Sequence, residues 1–159
     1  MKISIISVGK IKEKFYKDAI LEYSKRLSRY CKLEIYEVID EKTPENANDT
    51  INQMILEKEG ERIRNLIKED SYIFSLAIEG KKYDSIEFAN KIENLGINGK
   101  SHITFIIGGS LGIQNEIKNL SNELISFSDM TFPHQLMRVI LLEQLYRSFR
   151  ITNHEPYHK

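Results

Sequence analysis

The sequence predicts an α/β fold in which a mostly parallel β-sheet is covered by helices on both faces. Two observations indicate this fold: five short apolar runs rich in β-branched residues, and helical periodicity in the stretches between them. A third observation concerns length, because a chain of 159 residues without a Pro-, Gly- or Ser-rich linker usually forms one compact core. We therefore treat residues 1–159 as one domain.

The first two elements are a strand and an amphipathic helix. Ile3–Val8 is an apolar, β-branched run that Gly9 stops, as expected of a buried strand that leads into a loop. A helix is predicted over Phe15–Tyr30, because apolar residues recur there every three or four positions and lysines and arginines occupy the opposite face. The apolar positions are Tyr16, Ala19, Ile20, Tyr23, Leu27 and Tyr30.

The middle of the chain repeats this alternation of strand and helix. Leu33–Ile39 has the alternating pattern of a half-buried strand, and residues 43–46 contain the turn residues that end it. A second helix is predicted over Asp49–Lys68, and the apolar run Ser71–Ile78 predicts a third strand.

A capping box marks the start of the third helix. Asp84 and Glu87 have the required spacing for a helix over Ser85–Leu95, which Gly96 and Gly99 end. This helix leads towards the fourth strand.

Two further strands complete the predicted sheet. Ile103–Ile107 is a continuous β-branched run, and Leu124–Phe127 is a last short strand. In parallel sheets of this kind, ligands bind in loops at the carboxyl ends of the strands.

The final helix is predicted from Pro133 to about Arg150, since the fixed φ of proline suits a first helical turn. Its apolar residues cover more than half of the helix circumference, which is wider than one sheet face needs. We therefore expect a second burial surface, and we favour a homodimer over deeper burial within the monomer. These residues are Leu136, Met137, Val139, Ile140, Leu141, Leu142, Leu145, Tyr146 and Phe149.

Charge is balanced overall but unevenly distributed. The chain has 23 Lys and Arg and 23 Asp and Glu, yet residues 1–32 hold nine basic and only three acidic side chains. A phosphate-binding stripe and a merely solvated helix face both explain this pattern, because local charge decides attraction to a polyanion. The basic stripe comprises Lys10, Lys12, Lys14, Lys17, Lys25, Arg26, Arg29 and Lys32.

Cysteine content and hydropathy indicate a cytoplasmic protein. Cys31 is the only cysteine, so it forms no internal disulfide, and no neighbouring Cys or His suggests a metal site. The apolar stretch Lys2–Val8 is too short for a signal peptide core, and no run reaches the ~20 apolar residues of a membrane helix. We expect neither a metal nor a membrane partner.

The glycine-rich segment Gly108–Gly112 follows a predicted strand. Glycines there let backbone amides approach a ligand, but the segment matches neither the P-loop nor the dinucleotide pattern. It does match the nucleophile elbow of serine hydrolases, with Ser110 as nucleophile and Asp129 followed by a later His. A hydrolase therefore remains an alternative, and a simple turn is another.

A polar and aromatic loop lies between the last strand and the last helix. Its main-chain groups could hydrogen-bond an adenine while Met and Phe side chains pack against the ring, although Phe127 and Phe132 would equally suit the core. The loop consists of Phe127, Ser128, Asp129, Met130, Thr131 and Phe132.

The tail after Asn153 contains two imidazoles, a phenol and a cation. His154, Tyr157 and His158 offer base stacking, phosphate contacts and a proton acceptor. The other two histidines are isolated, and we interpret His134, at a helix start, as a structural contact.

Seven segments, spread over nearly the whole chain, together carry a resemblance to a known family. They are Ser7–Lys10, Lys58–Gly60, Ile106–Gly112, Thr131–His134, Arg138-Val139, Glu143–Arg147 and Pro156–Lys159. With these segments the chain resembles the SPOUT methyltransferases and, within them, the ribosomal RNA large-subunit methyltransferase H group, which methylates N3 of a pseudouridine in 23S ribosomal RNA.

The resemblance implies a C-terminal trefoil knot, a homodimer and S-adenosyl-L-methionine as cofactor. It also implies a ribosomal RNA substrate, either in the large subunit or in the assembled ribosome. By similarity, the cofactor-binding residues are Leu76, Gly108, Phe127, Ser128, Asp129, Met130, Thr131 and Phe132. The substrate-binding residues are Arg138, His154, Tyr157 and His158, with the tail serving its own or the partner subunit's site.

The expected chemistry is alignment of N3 behind the methyl carbon, followed by loss of the N3 proton. Imidazole takes up protons near neutral pH, so His158 or His154 is the predicted catalytic acceptor, with an ordered water as the alternative. A non-catalytic RNA-binding or nucleotide-sensing dimer would keep the pocket but lack the base.

Overall fold

The computed structural model describes residues 1–159 as a five-stranded sheet with strand order β2-β1-β4-β3-β5. Every neighbouring pair of strands is parallel. The predicted fold class is therefore confirmed. The elements are β1 (Lys2–Val8), α1 (Lys14–Leu27), β2 (Lys32–Val38), α2 (Asp49–Arg64), β3 (Tyr72–Lys82), α3 (Ser85–Ile97), β4 (His102–Ile107), α4 (Asn115–Leu120), β5 (Glu123–Ser126) and α5 (His134–Thr152).

The helices cover both faces of the sheet, as predicted. Helices α1, α3 and α5 share a core with one face, in which Leu27, Phe88 and Leu141 are buried. On the other face α2 and α4 form a smaller core that includes Ile63 and Ile117. The central strands β1 and β4 are buried on both faces, which explains their nearly continuous apolar sequences.

Strand β3 is longer than predicted and carries a bulge. Both Leu76 and Lys81 are in register with Ile125 of β5, so residues 77–80 loop out of the ladder before pairing resumes. A Cβ atom on Gly80 would lie 2.6 Å from the backbone of Ile125, so only glycine fits there. Because residues 79–82 are polar and contain a glycine, the sequence pattern indicated the end of the strand.

Helix boundaries agree with the prediction within a few residues, with one omission. The capping box is present: the Asp84 carboxylate accepts from the Glu87 amide at 2.8 Å and Glu87 returns the contact. The short helix α4 was not predicted, because six residues with only Ile117 buried are too few to display a helical period.

Candidate functional site

A cleft of about 790 Å³ opens at the carboxyl ends of β3, β4 and β5. The β3 bulge, the glycine loop 108–112, the loop 127–133 and the first turn of α5 form its walls. Its size falls in the range of small-molecule sites, roughly 300–1,000 Å³, and half of its 22 lining residues are hydrophobic. The cleft therefore lies where the strand order predicts a ligand site.

The glycine loop is closed on itself. The Gly112 amide donates to the Gly109 carbonyl at 3.0 Å, and Gly112 has a φ of +81°, in the left-handed region. A Cβ atom on Gly108 would lie 2.4 Å from the Gly112 carbonyl oxygen, closer than any packed structure permits. Only glycine therefore fits at position 108 while the loop keeps this closed shape.

Seven of the eight residues predicted to bind the cofactor line this one cleft. The exception is Asp129: its side chain is 80% exposed, and the carboxylate pairs with Lys82 at 2.6 Å instead of facing the cleft. Its neighbour Ser128 shapes the loop, because its hydroxyl accepts from the Met130 amide at 3.0 Å. The lining residues are Leu76, Gly108, Phe127, Ser128, Met130, Thr131 and Phe132.

Formal charge is scarce in the cleft wall. Lys118 and Glu79 lie at the wall and neutralise each other in an ion pair of 2.6 Å. Behind the glycine loop, Glu59 is 4% exposed, and its Oε2 lies against Gly109 without a hydrogen-bond partner. Burial raises the pKa of this carboxyl, although its other oxygen accepts from the Glu41 amide at 3.0 Å. In the sequence, Glu59 stands out only as part of the segment Lys58–Gly60.

The sequence suggested only a structural contact for His134, but its ring also lines the cleft. Burial, followed by the nearby Arg138 charge, lowers the pKa of His134, which favours a neutral imidazole. The ring lies against the β1–α1 loop, where a Cβ atom on Gly9 would come within 2.9 Å of its Cε1 atom. The start of α5 is thereby fixed against the end of β1.

Arg138 is not placed to bind RNA, so that prediction is corrected. The residue is 1% exposed, and its guanidinium donates to Glu37 at 2.7 Å, to Ser7 Oγ at 2.7 Å and to the Gly9 carbonyl at 3.1 Å. Its donors tie α5 to β1 and β2, and none of them points to solvent. The sequence could not show this, because α5 is apolar around most of its circumference and an arginine there suggests an exposed position.

Replacement of Arg138 by leucine is expected to lower the free energy of unfolding by about 2 to 3 kcal/mol, because it removes a buried guanidinium and its hydrogen bonds to Ser7, to Gly9 and to the partly exposed Glu37. Urea denaturation measures this change. Arg26→Leu, which breaks the exposed pair with Glu22, is the control and should cost less than about 0.5 kcal/mol.

The Arg138 effect should also depend on pH. Burial raises the pKa of Glu37, but hydrogen bonds from Arg138 and the Ile11 amide outweigh it and hold the pKa below its usual range. The pair therefore stabilises the fold above the unfolded-state pKa and loses its effect as the pH falls through the folded-state pKa. An undiminished difference at low pH would contradict this assignment.

The tail packs along α5, away from the cleft of its own chain. The Tyr157 hydroxyl donates to the Glu143 carboxylate at 3.0 Å, and the His158 Nδ1 atom lies 3.3 Å from a guanidinium nitrogen of Arg147. Met137 is the last α5 residue that lines the cleft, and Arg147 lies ten residues further, or about 15 Å along the helix axis. Neither His154 nor His158 lines the cleft.

Comparison with known proteins decides the family. The family model described as "Predicted SPOUT methyltransferase" matches residues 1–158. The chain belongs to the SPOUT methyltransferase family. It is therefore a methyltransferase. The α/β sheet described above agrees with this family, and membership of the family implies that the fold contains a trefoil knot.

Curated relatives of this SPOUT chain match it over its full length. A putative ribosomal RNA large subunit methyltransferase H of Methanococcus maripaludis is 64% identical over 159 residues, which is all of both chains. The ribosomal RNA large subunit methyltransferase H of Bifidobacterium adolescentis is 60% identical, and that of Clostridium beijerinckii 57% identical, again over all of both chains.

The geometry around Ser110 does not support a hydrolase in this SPOUT chain. The Ser110 hydroxyl lies 3.2 Å from the Thr43 hydroxyl, and no imidazole hydrogen-bonds it. Asp129, the proposed third member, is paired with Lys82. Ser110 is a loop residue of the cleft. The chain contains no group of three or more metal-ligating side chains, and none of its helices is long and apolar enough to span a bilayer.

A cluster around Glu155 holds the tail in place. The carboxylate accepts from the Tyr30 hydroxyl and the Arg150 guanidinium, which also donates to the Pro156 carbonyl at 2.7 Å. The hydrogen bond from Tyr30 lowers the pKa of Glu155 most strongly. Burial raises this pKa, but the positive charge of Arg150 also lowers it, and the net pKa lies below its usual range. Just before it, His154 turns the chain with a φ of +54°.

Tail docking should therefore weaken at low pH. Since the pKa of Glu155 is lowered, the contact stabilises the docked tail above the undocked pKa and is lost as the pH falls through the docked pKa. Glu155→Gln should raise amide exchange in residues 153–159 several-fold at pH 7. Glu45→Gln, at an exposed carboxylate without an ion pair, is the control, and equal exchange in both variants would contradict the clamp.

Proposed function

We propose that this methyltransferase transfers the methyl group of S-adenosyl-L-methionine to N3 of a pseudouridine in 23S ribosomal RNA of the large subunit or assembled ribosome. Full-length relatives named ribosomal RNA large subunit methyltransferase H support the substrate. The observation that carries the proposal is that seven residues assigned by resemblance to the cofactor line one cleft. Such a substrate implies a cytoplasmic enzyme.

The cleft suits an adenosyl cofactor. The glycine loop closes on itself at the carboxyl end of β4 and forms one wall of the cleft, so it fixes the shape that a ligand has to fit. Met130 is 74% exposed and Phe132 lines the cleft, which gives apolar faces for an adenine ring. When bound, the cofactor supplies a methyl group already activated for transfer, so that the protein's task is alignment.

We also propose that the enzyme acts as a homodimer through α5. Leu136, Val139 and Ile140 are half-exposed on this helix and belong to neither core, so an apolar face is left uncovered. Ile140 borders a groove of about 420 Å³ whose wall includes Phe127 and Phe132. Both phenylalanines also line the cofactor cleft, so a subunit seated on this face would adjoin the cleft.

In this dimer the tail of one subunit completes the cleft of the other. The docked His158 lies beside Arg147, about 15 Å along α5 from the cleft residue Met137, and neither tail histidine lines the cleft of its own chain. His154, Tyr157 and His158 are proposed to hold the target nucleotide from across the interface. A neutral imidazole of His158 or His154 would accept the N3 proton as the methyl group is transferred.

The test is transfer of labelled methyl groups to ribosomal particles that lack the modification. Free 23S RNA, isolated large subunits and assembled ribosomes are compared, and labelled RNA is digested to locate the methyl group on pseudouridine N3. Label at this atom is expected in at least one particle. Measurable cofactor binding without label in any of them would overturn the proposal in favour of a non-catalytic RNA-binding or nucleotide-sensing dimer.

A further inference from the structure

The structure divides the basic stripe of the N-terminal region into two groups. Four members form ion pairs: Lys14 with Asp18, Arg26 with Glu22, Arg29 with Glu155 and Lys32 with Glu34. The other four, Lys10, Lys12, Lys17 and Lys25, are exposed and form none. Three of these unpaired lysines lie in the β1–α1 loop or the first turn of α1.

This loop is fixed beside the cofactor cleft. The Lys12 amide donates to Gln135 Oε1 at 3.1 Å, and Gly9 lies against the ring of His134. His134 lines the cleft, so the loop that carries Lys10 and Lys12 is held beside it. The Ile11 amide donates to Glu37 at 3.0 Å, which holds the loop to β2 as well.

An aromatic side chain stands in the middle of these lysines without a place in the core. Phe15 is 64% exposed, and its ring centroid lies 4.4 Å from that of Tyr16 at an interplanar angle of 51°. The ring is thus held by a neighbour while leaving one side open to solvent. An exposed ring flanked by cations is the arrangement with which proteins bind unpaired nucleotides.

We propose that Phe15 stacks on an unpaired ribosomal RNA base beside the target nucleotide, while Lys10, Lys12 and Lys17 bind the adjoining phosphates. This inference rests on the proposed ribosomal RNA substrate and names the surface that recognises it. Charge favours RNA over a protein partner, because Asp18 and Glu37 are already paired with Lys14 and Arg138, and only Glu13 and Asp40 remain to oppose the three lysines. The patch therefore keeps a net positive charge next to the cleft.

Phe15→Ala tests the stacking contact. Loss of one base–aromatic contact should raise the KM for the ribosomal particle about tenfold, with little change in cofactor affinity. Phe15→Trp should retain the wild-type KM, because it keeps a stacking surface. Ile97→Ala is the matched control, since Ile97 is 73% exposed at the end of α3, at the edge of the sheet where β1 and β4 begin and so away from the lysines that follow β1. An equal KM for Phe15→Ala and Ile97→Ala would overturn the proposal.

Salt dependence tests the phosphate contacts. Each of Lys10→Ala, Lys12→Ala and Lys17→Ala should reduce the slope of log affinity against log salt by about 0.7 to 0.9. Lys14→Ala, at a paired lysine, should change it less. An unchanged slope in all three variants would overturn the proposed contacts between these lysines and RNA phosphates.

The design separates failure of this inference from failure of the proposed function. If wild type transfers no methyl group to any particle, the proposed function fails, and direct binding to the particles still reports on Phe15. Binding is also compared on a protein-free RNA fragment that wild type binds. If Phe15→Ala weakens binding to intact subunits but not to this fragment, the ring contacts a ribosomal protein and the inference is overturned.

Discussion

Replacement of Gly108 by alanine is expected to abolish methyl transfer. The new Cβ atom would lie 2.4 Å from the Gly112 carbonyl oxygen and 2.8 Å from Ile113 Cγ1, so the glycine loop has to open. Backbone cannot yield as a flexible side chain can, and Ile113 is itself buried. We expect cofactor affinity, measured by calorimetry, to fall at least about 100-fold, or about 3 kcal/mol.

The control for this change is Gly96→Ala. Gly96 lies in α3, away from the cleft, and a Cβ atom there would meet only the flexible end of Met1 at 3.0 Å. Alanine also has a helix propensity about 1 kcal/mol better than glycine, so this variant should be at least as stable as wild type. Unchanged cofactor affinity in a folded Gly108→Ala protein would refute the role of the loop.

The sequence predicted the central strands well because they are buried on both faces. Such strands require long β-branched runs, as in β1 and β4, and these runs are visible without any structural information. The α3 capping box was equally visible, since it depends on two side chains at a fixed spacing. The β3 bulge was missed, because it depends on pairing with β5, which is distant in sequence.

The position of the site was also predictable, whereas the direction of some side chains was not. A glycine loop after β4 and a polar loop after β5 must meet at the same edge of a parallel sheet. Sequence alone did not show that Asp129 turns outward to Lys82 or that Arg138 turns inward to Glu37. Both outcomes depend on a charged partner that is remote in the chain.

The monomer leaves the apolar excess of α5 unexplained. Leu136, Val139 and Ile140 remain half-exposed beside the groove next to the cleft, while the tail lies further along the same helix. A chain that acted alone would have to undock its tail to complete its own site. A dimer built on α5 needs no such movement, and the two arrangements make opposite predictions for mixed subunits.

Truncation after Asn153 is expected to abolish methyl transfer while leaving cofactor affinity unchanged, because the cleft contains no tail residue. Mixing this truncated chain with full-length Gly108→Ala subunits should restore activity, although neither is active alone. In a mixed dimer the intact cleft of one subunit receives the tail of the other. Random exchange at equal concentrations should yield about a quarter of wild-type sites.

The complementation result depends on which subunit supplies the tail. If each tail served its own cleft, every mixed dimer would contain one cleft without a tail and one tail beside a disabled cleft, and activity would stay at background. If mixing does restore activity, a His154→Ala, His158→Ala double replacement on the Gly108→Ala subunit should cancel it. Persistent activity would show that these imidazoles are not needed and that water or another group accepts the N3 proton.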